Sequence, residues 1–312
     1  MGTGHVPVMV EEVMAALSPH SGSSHVDCTV GAGGHAVRIL EATSPDGRLL
    51  GLDADRAAIA TAGQRLERFG ARAVLRQTNF EHLAAVALEE GFSPADGVLF
   101  DLGLSSDQLA DRERAFSFRA PGALDMRFDT ARGRPAAELV AELDERALAD
   151  LFRRYGEEPH AGRVARAIVA ERGRAPITTG EQLAAVVELA LPARGPRRIH
   201  PATRVFQALR IAVNRELETL PVALAAALEL LRPGGRLVVL SYHSLEDRIV
   251  KRFMAAERRG CVCPPQLPVC VCGRSPRLRA VGPTPARPRP QEVAANPRAR
   301  SARLRAAERL AA

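Results

Sequence analysis

At 312 residues, with 46% apolar and 25% charged side chains, the chain is large enough for a full α/β core plus an inserted subdomain, and no apolar run approaches the roughly 20 residues of a membrane span, so no membrane partner is expected. The start, MGTGHVPVMVEEVM, has no basic segment followed by an apolar block, which predicts a cytoplasmic chain with reduced thiols rather than a secreted one with disulfides. The net charge of +7 has one location: Arg277 to Ala312 holds nine arginines against two glutamates, and the rest of the chain is neutral. Four short apolar runs, HVDCTV, RLLGLD, RAVLRQ and DGVLFDLG, alternate with segments such as RAAIATAGQRLERF that carry apolar residues at helical spacing. This predicts a parallel α/β sheet with helices on both faces. After Gly103 the strand signal stops. PAAELVAELDERALADLFRRYG reads as two short helices with Asp144 as an N-cap and Gly156 as a stop, HAGRVARAIVAERG as a third ending at Gly173, and TGEQLAAVVELAL as a fourth opened by a capping box from Thr179 to Gln182. RPGGRLVVLSYHS, residues 232–244, then returns as a buried strand behind a Pro-Gly-Gly turn. From Pro283 onward the Pro-, Ala- and Arg-rich tail is expected to be the least ordered part, with RARSARLRAAERL its one helical stretch, and its charge suits phosphates of RNA or DNA.

The stretch DCTVGAGGH, residues 27–35, puts an acid, a β-branched run and three glycines before a predicted helix. Such a turn aims backbone N–H groups and the positive helix end over the carboxyl edge of the sheet, where doubly wound folds hold nucleotides, and a side chain there would collide with the ligand. Residues 31–36 read G-x-G-x-x-A, and Asp53 ends the next strand, placed to accept from ribose hydroxyls. These residues fit NAD as well as any adenosine ligand. Two acids favour S-adenosylmethionine. Asp27 opens the turn, where a carboxylate repels a pyrophosphate but supports a ligand bearing an ammonium and a sulfonium. Asp101, at the end of the fourth strand, offers a hydrogen-bond acceptor beside the cofactor position. An exocyclic base amine is a poor nucleophile because its lone pair is delocalised into the ring, and an acceptor on its N–H localises that pair toward a methyl donor. Asp101 is the candidate catalytic residue, with a cofactor-binding role equally open.

Taken together, HVPVMVEEV, DCTVGAGGH, GLDAD, DGVLFDLGLSSDQL, FSFRAPGALDMRFD, YGEE, RVARAIV, HPATRVFQALRIAVNREL, LRPGGRL, SYHSLEDRIVKRFM and NPRARSARLRAAER resemble the bacterial 16S ribosomal RNA cytosine-N4 methyltransferases, in family order over nearly the whole chain. The resemblance implies a class I methyltransferase core, a Rossmann-like sheet interrupted by an all-helical insert after the fourth strand. The expected parts are 1–104 and 205–282 for the core, 105–204 for a substrate-recognising insert, and 283–312 for the basic tail. It implies S-adenosylmethionine as cofactor, contacted by Gly33, Gly34, His35, Asp53, Phe80, Asp101 and Gln108. Gly33, Gly34 and the backbone of His35 would approach the methionine part, Phe80 would pack on adenine, and Gln108 would close over the cofactor. As residues alone, Phe80 reads first as core and Gln108 as a surface amide. The reaction implied is N4-methylation of a decoding-region cytidine in 16S rRNA within the small ribosomal subunit. Nothing in the sequence excludes a homodimer. The alternatives are an amino-methyltransferase acting on DNA or on another RNA, an NAD-dependent oxidoreductase, which Asp27 disfavours, and a non-catalytic RNA-binding or ribosome-assembly factor.

Four further signals remain. Leu102-Gly103-Leu104-Ser105-Ser106 stands where many amino-methyltransferases have a double-proline turn. In HPATRVFQALRIAVNREL, Pro201 suits a helix first turn, and Arg204, Gln207, Arg210 and Asn214 share a polar side that could meet RNA, opposite Phe206, Leu209, Val213 and Leu217; ARGPRRIHPATR adds arginines upstream. Tyr242 and His243 follow the returning strand and could contact the target base, with Ser244 as a helix cap. Cys261, Cys263, Cys270 and Cys272 form two C-x-C pairs, open to a structural zinc knuckle or to reduced thiols in a proline-bent loop, and Cys28 reads as core. Methyl transfer needs no Lewis acid, so no metal is expected in the active site.

Overall fold

The computed structural model describes residues 7–118, 121–191, 200–264 and 266–311. It divides into two compact units, one running up to Gly103 and resuming at Leu217, the other Leu104–Glu216. The first unit is built on β1 (Ser24–Asp27), β2 (Arg48–Asp53), β3 (Ala73–Gln77), β4 (Ala95–Asp101), β5 (Leu231–Ser241), β6 (Leu278–Ala280) and β7 (Arg303–Arg309). They form one sheet in the order β3-β2-β1-β4-β5-β7-β6, the class I methyltransferase arrangement. Neighbours from β3 through β5 pair in parallel, and β7 runs antiparallel to both β5 and β6. All five strands expected from the apolar runs are present. Among the described residues no helix is long and apolar enough to cross a membrane.

Burial on both faces explains why those strands read as continuous apolar runs instead of alternating patterns. Leu50, Val98 and Val239 belong to one core with Leu224 and Leu228 of the helix Glu216–Leu230 and Val250 and Met254 of the helix Ser244–Arg259. Their sequence neighbours Leu49, Leu99 and Val238 belong to the other, with Leu17 of Val10–Leu17 and Ile39 and Leu40 of Gly34–Ala42. The one-residue shift between the two sets is the period-2 alternation of a pleated strand.

The C-terminal segment corrects the reading made from composition. Residues 303–309 are a strand, not a helix, and pair with β5 through Val238↔Ala306 and Leu240↔Leu304. Alanine favours a helix in isolation, but the open flank of β5 offers ladder hydrogen bonds, and tertiary context outweighs propensity. Leu304, Ala306 and Ala307 are buried. Much of the tail's charge is paired within the same unit. The Arg305 guanidinium, buried, grips Asp247 through Nε to Oδ1 at 2.7 Å and Nη2 to Oδ2 at 3.2 Å. Arg303 reaches the same carboxylate at 2.7 Å, Arg279 pairs with Glu308 at 2.6 Å, and Arg289 pairs with Glu12 at 3.1 Å.

The second unit is helical. Ala136–Glu142, Glu145–Gly156, Ala161–Arg172, Gly180–Ala190 and Thr203–Asn214 surround Leu148, Phe152, Val164, Ile168, Leu183, Val187, Phe206 and Leu209. The expected caps are present: the Asp144 carboxylate accepts from the Ala147 N–H at 2.7 Å, and Thr179 with Gln182 forms a reciprocal capping box. Gly156 has a second duty. A Cβ there would lie 2.5 Å from the Arg204 carbonyl oxygen, so its absence lets two helices of the unit cross closely, while Glu157 takes the left-handed cap at φ 47°. The unit extends past 204 because Val205, Phe206, Ala208 and Leu209 belong to its core.

Candidate active site

The chain leaving β1 stays clamped between its neighbours. Cys28 N–H donates to the Leu99 carbonyl and Val30 N–H to the Leu52 carbonyl, both at 2.9 Å, so the turn that follows is held over the carboxyl ends of β4 and β2. Gly31 (φ +51°) and Gly33 (φ +78°) take left-handed conformations that other residues adopt only with strain, and Gly33 is the N-cap of the helix Gly34–Ala42. The tight approach expected around these glycines comes at Gly34 from the protein itself, since a Cβ there would lie 2.3 Å from Cγ of Pro7, in the HVPV stretch. Asp53 fixes the turn from β2: Oδ2 accepts from the Gly31 N–H and Oδ1 from the Asp55 N–H, each at 2.9 Å. Thr29 ties it to β4, its hydroxyl oxygen accepting from the Asp101 N–H at 2.6 Å.

Three acids therefore end three adjacent strands, Asp27 on β1, Asp53 on β2 and Asp101 on β4. Asp27 is buried, and its carboxyl is pushed up from 3.8 to about 7 by desolvation, with Asp101 and Asp53 adding to the rise and His35 and the Thr29 N–H opposing it. The buried His35 ring brings Nε2 within 3.5 Å of Asp101 Oδ2, an ion-pair distance, and neither ring nitrogen has a hydrogen bond within the protein. Burial pulls His35 down, but the neighbouring carboxylates of Asp101 and Asp27 outweigh it, so its net shift is upward. Tyr242, just beyond β5, donates its hydroxyl to Asp101 Oδ1 at 2.7 Å, and burial together with that carboxylate raises the phenol well above its usual range. Gly103 (φ +100°) lets the backbone after β4 pass under this ring, where a Cβ would sit 3.3 Å from Tyr242 Cδ2.

The donor set fits the cofactor inferred from sequence. A buried histidine whose Nδ1 has no hydrogen bond and an acid held partly protonated chiefly by burial suit a ligand bringing positive charge and hydrogen-bonding groups, and an anionic pyrophosphate would worsen the balance. Gly33, Gly34, His35, Asp53 and Asp101 gather at this edge. Phe80 opens the short turn Phe80–His82 after β3; its ring meets Phe100 edge-on at 5.9 Å and is partly buried against the core. Gln108 is not a surface amide. It is buried in the second unit, where its Oε1 accepts from the Ser105 N–H at 3.0 Å and its own N–H donates to Ser105 Oγ at 3.1 Å, closing a capping box.

Other expectations change. His243, not Ser244, is the N-cap of the helix Ser244–Arg259, in a capping box with Glu246. The polar side of Thr203–Asn214 is largely engaged inside its own unit: Arg210 forms a two-point pair with Glu216 at 2.8 and 2.9 Å, Gln207 donates to the Tyr155 carbonyl, and Asn214 bridges the Phe128 N–H and the Met126 carbonyl. Of the upstream ARGPRRIHPATR stretch, residues 193–199 lie outside the described residues. Two partners went unnoticed in the sequence. The Tyr242 hydroxyl on Asp101 follows from β4 and β5 being parallel neighbours, a relation the strand order makes available, whereas the contact of Pro7 with Gly34 leaves no local signature.

A relative from Thermomicrobium roseum, named ribosomal RNA small subunit methyltransferase H, is 55% identical over 311 residues, covering 100% of this chain and 95% of that protein. One from Symbiobacterium thermophilum with the same name is 51% identical over 313 residues, covering 100% and 98%. A third from Syntrophotalea carbinolica, again of that name, is 51% identical over 307 residues, covering 98% of each chain. The family model described as the MraW methylase family matches residues 2–310, and with a class I sheet whose carboxyl edge carries the glycine turn and three strand-end acids, the chain belongs to the MraW methylase family.

Proposed function

We propose that this methyltransferase uses S-adenosylmethionine to methylate N4 of a cytidine in the decoding region of 16S rRNA within the small ribosomal subunit. The observation that carries the reading is the Asp101 carboxylate, fixed at a strand end by Tyr242 and flanked by the buried His35 ring. The relatives' names support the ribosomal substrate, and the quoted motifs support cytidine N4. Gly33, Gly34 and His35 would hold the methionine part of the cofactor, Asp27 its ammonium, Asp53 the ribose, and Phe80 the adenine. Gln108 would act by fixing the turn it caps. When bound, the cofactor supplies a methyl group on a positively charged sulfur.

Asp101 accepts an N–H of the exocyclic amine, which turns the nitrogen lone pair toward the methyl group. Uracil carries a carbonyl at that position and would set lone pair against lone pair, so the same carboxylate discriminates between the pyrimidines. Tyr242 is a positioning residue: its hydroxyl holds one oxygen of Asp101, leaving the other for the amine and His35. After transfer the excess proton on nitrogen leaves to water. Recognition of the surrounding RNA is assigned to the helical insert, and a ribosomal substrate makes this a cytoplasmic enzyme.

Incubation with labelled S-adenosylmethionine and small subunits from cells lacking the enzyme, followed by nucleoside mass spectrometry, tests the reading. N4-methylcytidine at one position is the expected product. A methylated base of another kind, or no transfer by a protein that binds the cofactor, would overturn the substrate assignment.

A further inference from the structure

Between the helix Ser244–Arg259 and β6 the chain makes an excursion, residues 260–277, that methyl transfer does not use. Its two ends are pinned together. A Cβ on Gly260 (φ +67°) would lie 2.5 Å from the Pro276 nitrogen, and the Arg277 N–H donates to the Glu257 carbonyl at 2.8 Å. Beyond these pins its large apolar side chains among the described residues face solvent: Val262, Val269 and Val271 are 61%, 70% and 77% exposed, and Leu267 is 45% exposed. Such a loop would not fold on hydrophobic burial, so something else draws its two C-x-C pairs together.

The four sulfurs of Cys261, Cys263, Cys270 and Cys272 all lie within 4.8 Å of one another. Four of the six separations are 3.5 Å (261 to 270), 3.9 Å (263 to 270), 3.5 Å (270 to 272) and 3.8 Å (261 to 272). A tetrahedron of thiolates about 2.3 Å from a central zinc has edges of about 3.8 Å. Two disulfides would instead show two pairs bonded at about 2.05 Å, yet here Cys270 stands at near-equal range from all three others. The Val271 N–H points at Cys263 Sγ at 3.4 Å, the kind of backbone donor that steadies a metal-bound thiolate.

We propose that Cys261, Cys263, Cys270 and Cys272 bind one zinc ion, which staples this excursion into a fixed knuckle beside β6. All four positions are filled by sulfur, the pattern of a structural site, and thiolate softness selects zinc over magnesium or calcium. Binding displaces four thiol protons to solvent and changes no oxidation state.

Metal analysis of the full-length protein, purified under reducing conditions without chelator, tests this directly. One zinc per chain is expected, falling below a tenth of an equivalent in Cys263→Ser/Cys270→Ser. In the native protein the four knuckle thiols should resist a thiol reagent, as the buried Cys28 does, until a strong chelator is added, which should raise the reactive count by four. Cobalt loaded after zinc removal should give the visible absorption of tetrahedral thiolate coordination, a readout that needs no variant and no methyltransferase activity. A chain that takes up no zinc when offered it in reduced form, that holds iron instead, or whose thiols react equally with and without chelator overturns the assignment.

Discussion

Replacing Asp27 by Asn asks whether the acid at the mouth of the glycine turn is kept there for a cationic ligand. The aspartyl carboxyl is raised from 3.8 to about 7 in the folded chain, chiefly by burial. A carboxyl raised in this way holds its proton more tightly when folded than when unfolded. Its contribution is therefore intact below about pH 4 and is lost as pH climbs toward 7. At about 1.4 kcal/mol per pKa unit, the loss reaches about 4 kcal/mol by pH 8. Asparagine keeps the acceptor for the Thr29 N–H and carries no charge at any of these pH values. The variant should match the wild type near pH 4 and exceed it by up to about 4 kcal/mol at pH 8, read from denaturant midpoints across that range. Cofactor binding should move the opposite way. A cation beside Asp27 draws it back to the charged form, so the wild type should release a proton on binding near neutrality, and Asp27→Asn should bind roughly tenfold or more weakly and release none. Calorimetry in buffers of different ionisation enthalpy reads both quantities. Parallel stability profiles for the two proteins, with equal proton release, would refute the reasoning.

Tyr242→Phe removes a buried hydroxyl that donates to a carboxylate, worth about 1.5–3 kcal/mol, so kcat should drop roughly 10- to 100-fold while the KM for cofactor stays within a few-fold; steady-state kinetics on small subunits separates the two. Gly34→Ala drives a methyl into the Pro7 ring and should lower stability by about 1–3 kcal/mol, with faster proteolysis near the N-terminus as its signature. Asp247→Ala strands the buried Arg305 guanidinium without its partner, which should cost about 3–5 kcal/mol in chemical denaturation; a loss below 1 kcal/mol would show that the pair is not what anchors β7.

What the sequence made legible was whatever is local. The parallel strands announce themselves because both faces are buried, and Asp144 and Thr179 announce their helices because capping is a short-range hydrogen bond. The gathering of Asp27, Asp53 and Asp101 was readable because each ends a strand of one parallel sheet, so their side chains share an edge by topology alone. Residues whose roles depend on distant partners were misread. RLRAAER is helical by propensity and a strand by circumstance, since only the flank of β5, more than 60 residues earlier, tells it what to become. The partners of Arg210 and Asn214 give no sign in sequence because Glu216 and the 126–128 backbone that occupy them are brought in by folding.

The insertion of β7 between β5 and β6 has a consequence for how the chain is made. Synthesis delivers Leu231–Ser241 long before Arg303–Arg309, so for that interval the nascent core presents β5 as a bare edge with unpaired N–H and C=O groups. The contiguous helical segment Leu104–Glu216 has all its packing partners in hand by then and can fold as it emerges. The sheet has no such option. It closes only once Arg303–Arg309 is available, so a chain interrupted before that strand keeps its glycine turn and acids yet carries an open edge prone to aggregation.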